Sequence, residues 1–391
     1  MHVVQIAPPW FLLPPPAYGG IERVVHDLCE GLVAAGHQVT LCAPGDSLTS
    51  ATLVATTPHG LGLNLSEASQ ADWFARTSRF AYAAAVRLGA DIVHDHTDFR
   101  PADTYPLPIV RTVHGPAVKV AVQRYVEMSG RGDYLVAISR TQRLHFEMAS
   151  TTGADSSIRF AGVIHNPTNV SDAPFYPASE KENYVAFLGR CHWEKDPAAA
   201  IRVALAAGVH LKMALRVSDD ERPYFDACVA PLLKQAGKRV EFVGEVGGAE
   251  KDELIGHASA ILFPSPWEEP FGLVLTEAAA RGTPVVAFRK GSAPEIIIDG
   301  VTGILCESEA DMVRALPRAM RLDPVRCRAH AKAQFDRPAI TRKYVDLYES
   351  VIAESAARRL SFFANDSRPI RRFGRRPIEP AEMGEMRHLL P

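Results

Sequence analysis

Short apolar segments alternate along the chain with longer segments in which apolar residues recur every three to four positions. The short segments have the length and content of buried strands, and the longer ones have the period of helices packed on a sheet. The first unit shows this pattern: a strand at 2–7, a loop rich in Pro and Gly, a helix that begins near Gly20, and a strand at 38–43. This alternation predicts parallel sheets covered by helices.

The remaining predicted strands fall into two series, separated by a segment without a hydrophobic period. They are predicted at 91–94, 109–113, 134–138 and 163–164, and then at 184–188, 210–215, 240–243, 260–263, 284–287 and near Ile304. Residues 166–181 between the series are rich in Pro, Ser and Asn, which is typical of a linker. We therefore predict the α/β class, with two Rossmann-like domains that face a cleft, at 1–170 and 171–340.

The end of the chain differs from these two domains. Residues 341–357 have a helical period, and we predict a C-terminal helix that packs back toward the N-terminal domain. Residues 358–391 contain eight Arg and four acidic residues, with many Pro and Gly. This composition predicts a solvated or loosely docked tail, and the alternative is weak association with an acidic membrane surface.

Composition narrows the classes of function. The 391 residues are 47% apolar and 23% charged with a net charge of −2, which is typical of a soluble protein and creates no global attraction for nucleic acid. No apolar run reaches the roughly 18 residues of a membrane span, and the first residues do not resemble a signal peptide. The six Cys are scattered without metal-ligand spacing. We expect a cytoplasmic protein, which could lie peripherally at the inner face of the membrane.

One segment, FPSPWEEPFGLVLTEAAARGTPVVAF at 263–288, combines acidic residues with a strand end and a helix start. Glu268 and Glu269 lie in a Pro-rich loop, and Glu277 follows Glu269 after seven residues. The helix N-terminus near Gly272 offers unpaired N–H groups that can bind phosphate, whereas the carboxylates suit sugar and ribose hydroxyls. Alternatively, Glu277 only complements the helix dipole, and the loop carboxylates are solvated.

Two cations and a histidine also follow predicted strands. Arg190 and Lys195 precede a helix that begins near Pro197. Cations placed there can stabilise a departing diphosphate and can replace a metal ion in that role; the alternative is that both are ordinary surface cations. His114 ends the strand at 109–113, where it is either a structural hydrogen-bonding group or a catalytic one.

The run HDHTD at 94–98 raises the question of a metal site. His94 and His96 fall on one face of the predicted strand, because neighbouring strand residues point to opposite faces. We identify no third ligand in the sequence. We therefore expect these residues to form a wall of the cleft, near the acceptor substrate, and to bind no metal ion. Ser139 and Arg140, which follow another strand, are expected to face the cleft.

Five segments, in this order, resemble glycosyltransferase family 4, whose members are retaining enzymes of the GT-B fold. They are YGGIER at 18–23, TVHG at 112–115, LGRCHWEK at 188–195, EPFGLVLTE at 269–277 and EIIIDGVTGIL at 295–305. The resemblance spans residues 2–355. It departs at Asp196-Pro197, where Gly is usual in the family, and around Asn166, for which we expect a hinge role.

The resemblance implies a role for each matched residue. Glu269 would hold the donor sugar, Glu277 the ribose, and His114 would contact the sugar and support the reaction. The other donor-binding residues would be Gly19, Gly20, Arg190, Lys195, Phe271, Gly272 and Leu273, with Arg190 and Lys195 also acting in catalysis. The implied reaction moves a hexose-type sugar from UDP or GDP to a glycan, lipid or small-molecule acceptor, with retention and without a cofactor.

Other functions stay open at this point. A phosphorylase of the same fold would require pyridoxal phosphate on a lysine, and a sugar-nucleotide epimerase would differ only in its chemistry. A nicotinamide oxidoreductase is disfavoured, because no GxGxxG follows a strand with an acidic residue about 20 positions later. A non-catalytic binding protein is disfavoured, because the chain combines all of these polar residues: His114, Arg190, Lys195, Glu269 and Glu277.

Overall fold

A computed structural model describes residues 1–102, 105–150 and 158–365, except the side chains of 359–365. Residues 1–352 form one compact unit, which contains both β-sheets. Residues 353–391 form a second unit, whose described part is the end of the last helix. Residues 366–391, most of the predicted Arg-rich tail, lie outside the described residues. None of the described helices is both long and apolar enough to cross a bilayer.

The N-terminal half is built on a sheet of seven parallel strands. The strands are β1 His2–Ile6, β2 Gln38–Pro44, β3 Thr52–Thr57, β4 Ile92–Asp95, β5 Ile109–Val113, β6 Tyr134–Ala137 and β7 Phe160–Val163. The helices of this half are α1 Gly20–Ala34, α2 Glu67–Arg87, α3 Lys119–Gly130 and α4 Arg140–Ser150. Across the sheet the strands run in the order β3-β2-β1-β4-β5-β6-β7.

Both faces of this sheet are covered by helices, so its central strands are buried throughout, including polar residues such as Gln5, His94 and Arg111. Val3 packs in one cluster with Leu28 of α1, whereas its neighbour Val4 packs in another with Tyr82 of α2. The sequence analysis missed β3. This strand lies at the edge of the sheet and pairs only with β2, so its residues stay partly exposed and lack a marked apolar run.

The C-terminal half is built on a second parallel sheet, of six strands. The strands are β8 Tyr184–Arg190, β9 His210–Arg216, β10 Val240–Gly244, β11 Ala260–Phe263, β12 Val285–Phe288 and β13 Gly303–Cys306, in the order β10-β9-β8-β11-β12-β13. Its helices are α5 Pro197–Ala207, α6 Arg222–Tyr224, α7 Ala230–Ala236, α8 Gly248–Gly256, α9 Leu273–Ala280, α10 Ala293–Ile296, α11 Glu309–Ala319 and α12 Pro324–Phe335. A π-helical turn at Phe225–Val229 connects α6 to α7, and 3-10 turns lie at Ala178–Glu180 and Gly237–Arg239.

The two sheets have the same topology. In each, the chain first builds three strands toward one edge, then returns to place the fourth strand beside the first. These points of reversal lie between β1 and β4 and between β8 and β11. Because ligands of open parallel sheets bind at the carboxyl ends of strands near such a reversal, the topology marks one binding region in each half.

The last helix, α13 Arg337–Asn365, begins earlier than predicted and belongs in part to the N-terminal core. Ile340, Tyr344 and Tyr348 are buried in one cluster with β1 and α1. Their spacing of four residues places them on the same side of the helix. The chain therefore crosses from the second sheet back to the first.

Candidate functional site

A cavity of about 410 Å³ lies between the carboxyl ends of the two sheets. It is lined from the first half by the turn after β1 and the loop after β5, and from the second half by segments that follow β8, β9, β10 and β11. All of the predicted catalytic and donor-binding residues line this cavity: Gly19, Gly20, His114, Arg190, Lys195, Glu269, Phe271, Gly272, Leu273 and Glu277.

Two glycines bring the N-terminal half close to the C-terminal half. Gly19 has a φ of 143°, and a Cβ at this position would lie 2.7 Å from the Cβ of Pro15. Gly20 begins α1, and a Cβ there would lie 3.4 Å from Cδ1 of Leu273 at the start of α9. The turn therefore needs glycine at position 19, for its backbone conformation and because a Cβ would collide with Pro15, whereas Gly20 lies at ordinary contact distance from Leu273 of the second half.

Lys195 and Glu269 form an ion pair at the centre of the cavity wall. The Lys195 Nζ lies 2.5 Å from the Glu269 Oε2, and both side chains are largely buried. Lys195 follows β8 and Glu269 follows β11, which are neighbouring strands, so the pair forms at the point of reversal of the sheet. A phosphate oxygen in the cavity would compete with the carboxylate for the ammonium group.

Arg190, the last residue of β8, is held by two carboxylates. Its Nη2 donates to Oε2 of Glu194 at 3.0 Å, and its Nη1 donates to Oε1 of Glu221 at 3.3 Å. The side chain is 31% exposed, so part of the guanidinium stays accessible from the cavity. Glu194 and Glu221 thus orient Arg190 without enclosing it.

Glu277 lies in α9 and is paired with Lys251 of α8. The Lys251 Nζ donates to the Glu277 Oε1 at 2.7 Å. Burial would raise the pKa of Glu277, but the positive charges of Lys251, Arg281 and Arg23 lower it to about 2. Glu277 is therefore ionised at neutral pH, which suits it to accept hydrogen bonds from hydroxyls and makes it a poor general base.

The turn after Lys195 shows how the departure at Asp196 is accommodated. Asp196 has φ 48° and ψ 64°, the left-handed conformation that glycine adopts readily. Its carboxylate accepts a hydrogen bond from the Ala199 N at 2.9 Å, and Pro197 occupies the first helical position of α5. The aspartate therefore keeps the turn expected of a glycine and adds a cap to the helix.

His114 is the polar side chain that the loop after β5 contributes to the cavity. Its Nε2 lies 3.0 Å from Nδ1 of His96, and the two rings are stacked. Burial lowers the pKa of His114 to about 3, so the imidazole is neutral at physiological pH. A neutral histidine with one nitrogen bound to the protein has its other nitrogen left for a ligand.

His94 of β4 and His96, which follows the strand, have ring centroids 4.0 Å apart, but the expectation that they form a wall of the cleft is wrong. Both are buried, and neither lines the cavity, because β4 is a central strand covered on both faces. Asp95 points to the opposite face and pairs with the buried Arg111 at 2.8 Å. Across the described ranges, no group of three or more His, Cys, Asp and Glu side chains is arranged to hold a metal ion.

Ser139 and Arg140 do not face the cavity either. The Ser139 Oγ accepts a hydrogen bond from the Gln142 N at 3.0 Å and so caps α4. The backbone N–H groups of Arg140 and Thr141 each donate to the carboxylate of Glu295 at 2.8 Å. A carboxylate of the second half therefore binds the helix N-terminus of the first, an arrangement that favours negative charge.

Six further polar residues line the cavity and are missing from the predicted set: Tyr18, Arg23, Asn166, Arg216, Glu245 and Lys251. Arg216 ends β9 beside β8, so the strand-end argument could have found it, and its guanidinium lies 4.3 Å from the ring centroid of Tyr18. Asn166 is 5% exposed, and its Oδ1 has no hydrogen-bond partner within the described part of the chain. A buried oxygen of this kind is suited to accept a hydrogen bond from a ligand.

A groove of about 460 Å³ adjoins the cavity, and Pro270 lines both. It lies where the loop after β5 and helix α4 face the loop after β11. Its lining is mostly apolar: Pro116, Ala117, Val118, Gln142, His145, Met148, Ala149, Trp267, Glu268 and Pro270. Glu268 accepts a hydrogen bond from the Gly291 N at 2.7 Å, whereas its neighbour Glu269 pairs with Lys195 in the cavity.

Two family models match the chain, one on each half. The model described as Glycosyltransferase Family 4 matches residues 18–148, and the model described as Glycosyl transferases group 1 matches residues 171–334. The two matched ranges contain the five segments identified in the sequence and most of the cavity wall.

Known proteins that resemble the whole chain carry the same kinds of name. A glycogen synthase of Mycobacterium tuberculosis is 27% identical over 380 residues, which cover 83% of this chain and 87% of that protein. A phosphatidyl-myo-inositol mannosyltransferase of Mycolicibacterium smegmatis is 25% identical over 407 residues, which cover 93% and 98%. The crystal structure of AviGT4, a glycosyltransferase involved in avilamycin A biosynthesis, matches with a TM-score of 0.66 at 27% identity, covering 90% of this chain and 98% of that one.

Proposed function

The chain belongs to the glycosyltransferases, with a family 4 domain followed by a group 1 domain, and we propose that it transfers a hexose-type sugar from UDP or GDP with retention of the anomeric configuration. It is an enzyme of the GT-B fold. One observation supports the proposed reaction above others: the cavity between the two sheets collects Arg190, Lys195 and the N-terminus of α9 beside the carboxyl groups of Glu269 and Glu277. Such a set matches a sugar linked to a diphosphate.

The cations of the second half would stabilise the leaving group. As the bond between the anomeric carbon and the diphosphate oxygen breaks, negative charge develops on the phosphate. Lys195 would then move its hydrogen bonds from Glu269 to the phosphate, and Glu269 would accept hydrogen bonds from the sugar hydroxyls. The ion pair observed between them keeps both groups in place before the donor binds.

Retention is supported by the state of the carboxylates in the cavity. Glu277 has a pKa of about 2 and is paired with Lys251, so it is too weak a base to activate an acceptor hydroxyl. We propose that the acceptor oxygen attacks the anomeric carbon from the side that the diphosphate leaves. The new glycosidic bond forms, the bond to phosphate breaks, and the acceptor proton passes to the departing phosphate.

The donor is proposed to bind without a metal ion. Arg190, Lys195 and the backbone N–H groups of α9 supply positive charge where a divalent cation would otherwise act. We also propose that no cofactor takes part, because the sugar nucleotide itself carries the leaving group.

The acceptor would enter by the groove beside the cavity. Its wall of Pro116, Val118, Met148 and Trp267 offers apolar surface and few hydrogen-bonding groups, which favours an acceptor with an apolar part. The related proteins are named for both glycan and lipid products, so a lipid, a glycan with an apolar aglycone and a small apolar molecule are the classes to test.

We further propose that the Arg-rich residues 358–391 attract the protein weakly to anionic membranes at the cytoplasmic face. Co-sedimentation with vesicles of phosphatidylglycerol, compared with vesicles of phosphatidylcholine, tests this point. A chain shortened by residues 366–391 should lose the preference for the anionic vesicles. Equal sedimentation with both vesicle types would contradict the proposal.

A thermal-shift panel with UDP, GDP, ADP, dTDP and NADH, each with and without EDTA, tests the donor site. A ligand at about 100 times its Kd adds roughly 2.7 kcal/mol to the free energy of unfolding. We expect one nucleoside diphosphate to stabilise the protein regardless of EDTA. Stabilisation by NADH alone, or a requirement for metal with every diphosphate, would contradict the proposed site. NMR of the anomeric proton in the product then tests retention.

A further inference from the structure

A chain of buried hydrogen bonds connects the C-terminal helix to His114. Tyr348 of α13 accepts from the Gln5 Nε2 at 3.2 Å, and the Gln5 Oε1 lies 2.8 Å from Nε2 of His96. The Nδ1 of His96 lies 3.0 Å from Nε2 of His114, which lines the cavity. Gln5, His96 and Tyr348 are each at most 2% exposed, so water does not compete for these bonds.

The position of each proton follows along this chain. The Gln5 oxygen can only accept, so Nε2 of His96 must carry the proton that it binds. Burial lowers the pKa of His96 well below its usual value, so the ring is neutral and its Nδ1 is an acceptor. The proton between the two histidines then belongs to Nε2 of His114. The Nδ1 of His114 is left without a proton and can accept a hydrogen bond from a ligand.

A second branch of hydrogen bonds, from Tyr348 through His94 to Thr112, is consistent with the same proton positions. Because the Tyr348 oxygen accepts from Gln5, its own proton is available for Nδ1 of His94, which lies 2.6 Å away. The Nε2 of His94 then donates to the Thr112 Oγ1 at 2.8 Å. Each hydrogen bond in both branches therefore joins one donor to one acceptor, which a buried network requires.

We propose that Gln5 and Tyr348 are positioning residues, which hold His114 in the tautomer with the proton on Nε2 so that Nδ1 accepts a hydrogen bond from a sugar hydroxyl. The part concerning the sugar rests on the proposed function, whereas the tautomer does not. In this arrangement α13, which comes after the donor-binding half in the chain, determines the protonation pattern of a group in the other half. A donor whose hydroxyl at that point is replaced by fluorine would lose the bond, because fluorine cannot donate.

The tautomer can be measured directly in the full-length protein labelled with ¹⁵N-histidine. Correlations between the ring nitrogens and carbon-bound ring protons distinguish a protonated nitrogen from an unprotonated one, and loss of a signal in His114→Asn assigns His114. We expect Nε2 to carry the proton in the unaltered protein. A proton on Nδ1 of His114 would overturn the proposal.

Gln5→Met keeps the side-chain volume but removes both hydrogen bonds of Gln5. It should therefore reverse the direction of the hydrogen bond between His96 and His114. The Nε2 proton of His96 would have no acceptor, so the proton should move to Nδ1 and be donated to Nε2 of His114. We expect His114 to change to the tautomer with the proton on Nδ1. Unchanged signals in a folded Gln5→Met protein would overturn the role of Gln5.

Tyr348→Phe provides a second test should Gln5→Met not fold. It removes the oxygen that orients the Gln5 amide, so we expect both tautomers of His114 to be populated. Tyr344→Phe is the matched control, because that hydroxyl contacts Thr112 at 2.9 Å and does not contact Gln5. A single, unchanged tautomer in Tyr348→Phe would overturn the role of Tyr348.

Kinetic measurements test whether the tautomer of His114 matters for the transfer reaction. We expect Gln5→Met to lower kcat roughly 10- to 100-fold, as for loss of one hydrogen bond to a reacting substrate, while the donor Kd changes only a few-fold. Tyr344→Phe should retain kcat within about twofold. If the tautomer changes and kcat does not, the role of Nδ1 in transfer is overturned. If the unaltered protein shows the expected tautomer but transfers no sugar, the proposed function fails and the positioning chain stands.

Discussion

The two halves of the molecule have the same strand order around the cavity but fill it with different chemistry. In the second half the polar groups are ions that bind one another, as Lys195 does with Glu269 at 2.5 Å and Lys251 with Glu277 at 2.7 Å. In the first half the wall contains one cation, Arg23, but its histidine is neutral and is held 3.0 Å from another neutral histidine. The shared fold therefore does not determine which kind of interaction a strand end presents.

The difference matches the group that each half would contact during transfer: the diphosphate in the second half and a sugar hydroxyl in the first. A departing diphosphate gains charge, so it needs cations that can exchange one anionic partner for another. A sugar hydroxyl stays neutral, so it needs a donor or acceptor in a constant orientation. A buried neutral network provides that orientation without the desolvation cost of an ion. Changes at four positions test parts of this comparison: Lys195 in the charged half, Glu295 between the halves, Trp267 in the groove and Asp196 in the turn that carries Lys195.

Lys195→Met should have the largest effect, because it removes a cation of the charged half and leaves Glu269 without its partner. We expect kcat to fall roughly 100- to 1000-fold, the usual loss when one group that stabilises developing charge is removed. Steady-state kinetics with the identified donor measures it. Lys212→Met is the control, because Lys212 also pairs with a glutamate, at 3.6 Å, but lies outside the cavity. Equal losses in both variants would contradict the assignment.

Glu295→Gln tests the carboxylate that connects the halves. Burial would raise the pKa of Glu295, but hydrogen bonds from His165, Arg140 and Thr141 lower it to about 2, against 4.5 in the unfolded chain. A depressed carboxyl pKa stabilises the fold above the unfolded value, and this stabilisation is lost as the pH falls through about 2.

We therefore expect Glu295→Gln to lower the free energy of unfolding by roughly 2–3 kcal/mol at pH 7 and by less than half of that near pH 3. Urea unfolding at the two pH values measures the difference. Glu307→Gln is the control, since Glu307 forms its ion pair with Arg289 at the surface and is 73% exposed. If Glu295→Gln lowered the free energy of unfolding equally at both pH values, the charge of Glu295 would not be what stabilises the contact.

Trp267→Ala tests whether the acceptor uses the apolar groove. Removing the ring should raise the KM for the acceptor about tenfold, equivalent to about 1.4 kcal/mol, and leave donor binding unchanged. Trp193→Ala is the matched control, because this ring lies 5.5 Å from Trp267 and does not line the groove. An increase in KM confined to the donor would place the acceptor elsewhere.

Replacement of Asp196 should have the smallest effect and concerns only the turn that carries Lys195. Asp196→Ala loses the cap of α5 and keeps the left-handed backbone, so we expect a loss of about 1 kcal/mol in stability. Asp196→Gly loses the cap but fits the backbone, so its change should be within about 0.5 kcal/mol. Urea unfolding compares the two. A larger loss for glycine than for alanine would contradict the role of backbone conformation.

Much of the fold could be predicted from local patterns. The fold class is confirmed, and buried central strands such as Ile109–Val113 and Ala260–Phe263 lie at the predicted positions, because a strand covered on both faces is rich in apolar residues. The edge strand Thr52–Thr57 was missed, because half-exposed residues leave no such pattern. His114, Arg190 and Lys195 were predicted because they follow strands, and parallel strands bring these ends to one edge of each sheet, whereas the resemblance supplied the roles of Gly19 and Gly20.

The sequence by itself therefore determined the two sheets, the edge of each sheet that meets the cavity and most of the chemical groups named there, because these depend on neighbours along the chain. Only the tertiary structure decided which groups are paired. The sequence does not indicate that Lys195 binds Glu269, or that Tyr348 reaches His114 through Gln5 and His96. Such partners are distant in sequence and meet only when the chain closes on itself, and burial then determines which of them are charged and which nitrogen holds a proton.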